Sequence, residues 1–355
     1  VSLFTGWMER WLSKQPPDWS DMYLRLNEQP MIKRGGTRLV LVEDAPPVKE
    51  DDLEGLVGEK VDWSGAVDID RGASIAGYRF RINLLRRMGH GAAVLRKLET
   101  QPPELESLGL PTDLLRRIAL MSHGLVIIAG ETGSGKTTTL SAMMNERARQ
   151  RSTTTVTVED PVEILFPEVM QSADGGLSLF VQREVGRDTA SFTSGLRAAL
   201  REAPNVITVG EVRDSESAHL ALQAAETGHL VFMTLHTRGA RETVSRLLAF
   251  FPDAQHALVR QQLASGLRLV LRQVLIPAVD GGRVLAYELM TTDGGVANAI
   301  VKRQETQLLN EITAGREYGM VALNNNLASL VRENRIEESE AFRHSYDPEG
   351  LRELL

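Results

Sequence analysis

The sequence predicts an α/β protein: a mostly parallel sheet with helices on both faces, preceded by a small α+β domain. Three observations predict it. From about residue 114, apolar strand-like runs alternate with helical stretches at lengths that suit strand–helix–strand units. One apolar run, GLVIIAG at 124–130, passes directly into a glycine-rich turn, GETGSGKT at 130–137, that opens a helix. Before residue 100 the runs are shorter and alternate apolar with polar positions, the pattern of half-buried strands.

Taken in order, VSLFTGWMERWLSK reads as an amphipathic helix with Leu3, Phe4, Trp7, Met8 and Trp11 on one side. It either packs on its own domain or lies on a membrane surface. Glu9, Arg10 and Lys14 interrupt it too often for a signal peptide, and Val1 in place of Met points to an altered or missing natural start. MYLRL at 22–26, RLVLV at 38–42 and YRFRINLL at 78–85 read as strands, with a turn at Gly35–Gly36 between the first two. TQPPELESLGLPTD at 100–113 is rich in proline and turn formers and reads as the linker between domains. Then follow helix DLLRRIALM, strand GLVIIAG, helix KTTTLSAMMNERARQ and strand TTTVTVED. An amphipathic helix at 191–202, strand NVITVGE, a helix at 214–226 and strand HLVFMTLH continue the alternation. Past 253 the chain reads as mainly helical, apart from a hairpin around 268–290.

Composition narrows the function. The 355 residues include no cysteine, which excludes disulfides, cysteine zinc sites and a thiol nucleophile and suits a reducing cytosol. A net charge of -7 argues against a nucleic-acid binder. Apolar runs such as LVIIA at 125–129 are far short of the ~20 residues a membrane span needs. Within the small domain charge is segregated: residues 43–70 hold ten acids and two bases, and 71–97 hold seven bases and no acid. Either these are solvated faces, or arginines among Arg79, Arg81, Arg86, Arg87 and Arg96 face a phosphate or a neighbouring subunit.

GETGSGKT matches the phosphate-binding loop G-x-x-x-x-G-K-[ST] in the strand-to-helix context that loop requires. Gly130, Gly133 and Gly135 permit backbone conformations in which N–H groups turn toward phosphate oxygens, and the helix N-terminus adds positive potential. Glu131, Thr132, Ser134 and Thr138 complete the loop and its first helical turn. Lys136 is expected on the β- and γ-phosphates, and the Thr137 hydroxyl on Mg2+. Ligands of open α/β sheets bind at the carboxyl ends of strands. Two other strand ends carry acids there: Glu159, Asp160 and Glu163 after TVTV, and Glu211 after VITVG. All are expected to converge on the loop. Glu211 is best placed to orient or deprotonate an attacking water. The second nucleotide motif usually ends in Asp, and here Gly210 fills that slot. The metal is therefore expected on Thr137 and waters, with Glu159 and Glu211 acting on it through water.

His229 and His236 flank the strand LVFMTL. Seven residues of strand span roughly 23 Å at 3.3 Å per residue, so the two cannot share one metal. His236, at the carboxyl end, is expected to sense the γ-phosphate through a hydrogen bond. His229, at the other end, either satisfies a turn or reports on an adjacent subunit.

These residues together resemble the secretion and pilus ATPases, especially the retraction motors of type IV pili. The matching pieces run in order: SDMYLRL, PMIK, YRFRIN, VLRKL, GETGSGKTTTLSAMM, TVEDPVE, QREVGRDTASF, the stretch LRAALREAPNVITVGEVRDSESAHLALQAAETGHLVFMTLHT, and GGRVLAYELM. The resemblance implies a PAS-like N-terminal domain over 1–105 and a RecA-like P-loop ATPase domain with a helical C-terminal part over 114–355. It implies a cytoplasmic homohexamer, peripheral at the inner membrane, that binds ATP with Mg2+ between its domains. Its partners would be an inner-membrane platform protein and, indirectly, pilin, with no nucleic acid. It further implies that Arg81 and Arg96 reach the phosphates and that both histidines belong to a His box. Extension and secretion relatives carry an added N-terminal domain and a four-cysteine zinc module, and this chain has no cysteine. GVANAIVKRQ at 295–304 matches the C-terminal motif linked to retraction only loosely, and 172–179, SADGGLSL, reads as an insertion. The rival readings are an ATPase of a conjugation, type IV or type II secretion system, and a weakly hydrolysing accessory ring subunit. A DNA-translocating motor is disfavoured by the charge and by the lack of an aromatic–basic stripe.

Overall fold

Among the described residues two sheets form, one of six strands and one of eight. The computed structural model describes residues 3–14, 19–34, 38–98 and 101–355. The turn expected at Gly35–Gly36 lies outside them. By its contacts the chain separates into a small unit, Val1–Pro102 with Asp160–Phe166, and a larger unit, Pro103–Glu159 with Pro167–Leu355.

In the small unit, helix α1 (Leu3–Lys14) precedes strands β1 (Trp19–Arg25), β2 (Met31–Arg34) and β3 (Arg38–Leu41). Helix α2 (Glu50–Val57) and strands β4 (Asp68–Ile75), β5 (Tyr78–Arg87) and β6 (His90–Leu98) follow. The sheet order is β3-β2-β1-β6-β5-β4, with every pairing antiparallel. Period-two alternation does the work along β5: Phe80, Ile82 and Leu84 are buried while the residues between them are more exposed, apart from Arg79. Phe4, Met8 and Leu12 of α1 enter the same core. A contiguous aromatic series, Phe4, Trp7, Trp11, Trp19 and Phe80, ties helix to sheet with centroid spacings of 5.4 to 5.9 Å. Two of the segregated bases pair with the acids, Arg81 with Asp70 and Arg71 with Glu59, and Arg86 donates to the carbonyls of Ser64 and Gly65.

The larger unit contains helices α3 (Thr112–Ala119), α4 (Lys136–Gln150), α5 (Phe192–Ala199), α6 (Ser215–Glu226), α7 (Ala240–Leu248) and α8 (His256–Gly266). Five more follow: α9 (Val296–Val301), α10 (Leu308–Ala314), α11 (Leu323–Arg332), α12 (Glu338–His344) and α13 (Pro348–Leu354). Its strands are β7 (Gly124–Ala129), β8 (Thr154–Glu159), β9 (Val169–Gln171), β10 (Leu177–Glu184), β11 (Val206–Val209), β12 (Leu230–Leu235), β13 (Leu267–Pro277) and β14 (Arg283–Thr291). The sheet order is β14-β13-β7-β12-β11-β8-β10-β9. The six inner strands are parallel, and β14 and β9 close the edges antiparallel. Every residue of β7, β11 and β12 is buried, as strands covered on both faces require.

The segment read as the linker, 100–113, contains the boundary between the units, and its residues 103–111 pack: Leu105 and Leu110 are buried, Glu104 pairs with Arg149 at 2.5 Å, and Glu106 pairs with Arg116. Proline and glycine marked the segment as irregular, and its two spaced leucines were the signal that it packs. The segment 172–179, read as an insertion, spans a turn and the start of β10. Residues 172–176 form the tight turn of a β9–β10 hairpin, and β10 pairs in parallel with β8, Leu179 opposite Thr154. Glycine at 175 takes the φ of 85° that this turn needs.

Candidate functional site

The glycine-rich loop follows from local sterics. Gly130 sits at φ 146°, and a Cβ there would lie 2.5 Å from the Gln273 carbonyl oxygen and 2.6 Å from Ser134 Oγ, so no side chain fits. Gly133 and Gly135 adopt φ of 79° and 89°, the left-handed turns that bring successive N–H groups to one side. Gly130 N donates to Leu235 O at 3.1 Å, which fastens the loop to the tip of β12. Lys136 then opens α4, and its ammonium donates to the carbonyls of Gly130 and Glu131, both at 2.8 Å. The Ser134 hydroxyl is buried without a protein partner. A positive helix terminus, inward N–H groups, a lysine folded over them and an orphaned buried hydroxyl are the chemistry of a polyphosphate site. Glu131, Thr132 and Thr138 are exposed on this loop, and Thr137 is half-buried in the first turn.

Beside the loop, the tips of β11 and β12 lie next to one another, Val209 opposite Met233. Two residues past β11 stands Glu211, and one past β12 stands His236. His236 Nε2 is 3.5 Å from Glu211 Oε1, and Arg213 donates to Glu211 Oε2 at 2.7 Å. Burial pushes the Glu211 carboxyl up, but Arg213, His236 and Lys136 together outweigh it and hold the group below the usual carboxylate range. Asp214 accepts from Ser217 N at 2.8 Å, capping α6 and fixing the loop that carries Glu211. A cavity of about 230 Å3 opens here, lined among others by Glu211, Arg213, His236, Glu242 and Arg246. Arg213, Glu242 and Arg246 were not expected; exposed charges on helical or loop segments carry no signal of their own in a single sequence.

The structure thus brings Lys136, Glu211 and His236 to one edge of the sheet. Glu159 shares that edge, and the remaining expected residues have partners within their own units. Glu159 ends β8, where Thr157 and Gln182 donate to its Oε1 at 2.6 and 3.2 Å. Glu163 belongs to the small unit and pairs with Arg81 at 3.4 Å. The chain leaves the larger unit directly after β8, at Glu159. Arg81 also pairs with Asp70 at 2.5 Å, which raises its already high pKa. Arg96 pairs with Asp21 at 2.9 Å. Arg79 is buried and donates twice to the Val162 carbonyl, at 3.2 and 2.8 Å. His229 stands at the opposite end of β12, with Nδ1 3.0 Å from Ala224 O at the end of α6.

Gly210 stands in the position where the second nucleotide motif usually has aspartate. A Cβ at 210 would lie 3.2 Å from Val158 O and 3.4 Å from Glu159 Cα, while Gly210 N donates to Val158 O at 2.8 Å. Thr234 donates to the Gly210 carbonyl. Main chain crowds the slot, so a side chain there would need its neighbours to give by a few tenths of an ångström.

Comparison with known proteins matches this arrangement. Residues 71–347 match the family model described as type II/IV secretion system protein. The type IV pilus retraction ATPase PilT of Pseudomonas aeruginosa is 35% identical over 339 residues, covering 94% of this chain and 96% of that protein. A twitching motility protein of Neisseria gonorrhoeae is 40% identical over 274 residues, 77% of this chain and 71% of that protein. A crystal structure of the pilus retraction motor PilT with bound ADP superposes with a TM-score of 0.84 at 35% identity, covering 99% of each chain.

Proposed function

The chain belongs to the type II/IV secretion system protein family, and from that premise we propose that it is a homohexameric motor whose ATP hydrolysis powers type IV pilus retraction. It is an ATPase, and ATP is its substrate. The observation that carries the reading is the meeting of Lys136, Glu211 and His236 beside the glycine loop, in a chain alike along its length to a retraction ATPase.

In this reading the triphosphate lies along Gly130, Glu131, Thr132, Gly133, Ser134 and Gly135. Lys136 exchanges the carbonyls of Gly130 and Glu131 for the β- and γ-phosphate oxygens. Glu211, ionised and oriented by Arg213, accepts a proton from water as that water attacks the γ-phosphorus and the bond to the ADP oxygen breaks. His236 donates to the γ-phosphate and loses that partner when phosphate leaves. Thr137 would hold Mg2+ together with the phosphates, and the ion would offset the charge that gathers on them. The donor set fits this better than direct carboxylate ligation, because Arg213 occupies Glu211, and Thr157 and Gln182 occupy Glu159. The small unit's Arg81 and Arg96 would reach phosphate only by exchanging Asp70 and Asp21 for it. The ring would work peripherally at the inner membrane, on a platform protein and through it on pilin. Among the described residues no helix is long and apolar enough to cross a membrane.

Deleting the gene and scoring pili and twitching tests the reading. Surface pili in excess, without movement, are expected. Loss of surface pili would instead assign the motor to extension.

A further inference from the structure

Gln273 lies on β13, the strand beside β7 on the side away from β12. It is 1% exposed, and its amide Nε2 donates to Thr139 Oγ1 at 2.8 Å, a bond between two buried side chains. Thr139 is the fourth residue of α4, three after Lys136 and two after Thr137, and its own N–H bonds back to Gly135 O at 3.0 Å. The main-chain carbonyl of the same Gln273 fills the space a Cβ on Gly130 would take, at 2.5 Å. One residue of β13 therefore touches both the first residue of the phosphate loop and the first turn of the helix that ends it.

We propose that Gln273 is a positioning residue for the phosphate site: through Thr139 it fixes the roll of the first turn of α4, and so the direction in which Lys136 and Thr137 point. This rests on the ATPase reading. The bond acts on the bound phosphates before any proton moves, so its loss weakens nucleotide binding more than turnover. It is a bond between partners that are both buried, so removing either side chain leaves the other without its partner, whereas removing both together does not.

The test compares the full-length protein with Gln273→Met, Thr139→Val, the double variant and Thr139→Ser. ADP affinity is read by calorimetry, KM and kcat with MgATP, and folding by thermal melting. Each single variant is expected to weaken ADP binding and raise KM about fivefold to tenfold, in keeping with one hydrogen bond, with kcat within about twofold. Thr139→Ser, which keeps the hydroxyl, is expected to match the parent, and the double variant to be no worse than either single. Unchanged ADP affinity in the singles, additive losses in the double variant, or losses that merely follow a falling melting temperature would overturn the proposal. If Gln273→Met does not fold, the contrast between Thr139→Val and Thr139→Ser decides by the same readings. A parent protein that binds ADP but does not turn over ATP would count against the motor and leave the Gln273 proposal intact.

Discussion

The two ends of β12 carry the same side chain in opposite settings. His229, at the entrance, has its ring nitrogen on the Ala224 carbonyl at 3.0 Å and its main-chain N–H on the same oxygen at 3.1 Å. It completes the end of α6, where the last carbonyls of a helix lack partners. His236, at the exit, is exposed and meets a carboxylate and a cavity. A parallel sheet creates this asymmetry, since all the inner strands deliver their carboxyl ends, and the loops that follow, to one edge. What a residue can do there depends less on its type than on which edge it reaches.

Substitutions at the exit edge should remove chemistry, and those at the entrance edge should remove stability. The largest effect is expected for Lys136→Ala, with MgATP turnover falling at least about 1,000-fold, since the main cation facing the phosphates is gone. Glu211→Gln should lower kcat by about 100- to 1,000-fold while ADP affinity, measured by calorimetry, stays within about threefold. A large loss of affinity in that variant would mean that Glu211 shapes the pocket and does not handle the proton. His236→Ala should lower kcat about tenfold with a normal melting temperature. His229→Ala should do the reverse, leaving ADP affinity unchanged and costing about 1 kcal/mol of stability. If His229→Ala instead silences turnover with ADP affinity and melting intact, the entrance edge is read by a neighbouring subunit.

The smallest expected effect concerns pH. Glu211 is held below the ordinary carboxylate range, so its ionised form persists at ordinary and moderately acid pH and is lost only as pH falls through that lowered value. Arg213→Ala removes the strongest stabiliser of the anion. The acid limb of the kcat profile should therefore move to higher pH. No movement would show that Arg213 is a bystander on the exposed rim.

Much of this was legible in the residues. The parallel core was plain because β7, β11 and β12 are unbroken apolar runs between helical stretches, and the phosphate loop because steric demand leaves glycine alone at Gly130. The strand-end rule placed Glu211 and His236. Other features were not readable. β9 is short enough, and β4 polar enough, to pass for loop. Nothing local says that the chain changes unit at Glu159, so the unit that Glu163 joins was not readable. The pairing of Arg81 with Asp70 depends on register between β4 and β5, which one sequence does not display. Gln273 was silent for the same reason: its partner, Thr139, lies on a helix 134 residues earlier in the chain.

The central claim is that the exit edge of the sheet holds a triphosphate between the glycine loop and the pair Glu211–His236. A crystal structure of the Glu211→Gln protein with MgATP tests it most directly. The account predicts γ-phosphate oxygens within hydrogen-bond distance of both Lys136 Nζ and the His236 ring, with a water between that phosphate and residue 211. A nucleotide whose γ-phosphate lies clear of His236, or a residue 211 that faces no water beside it, would contradict the account.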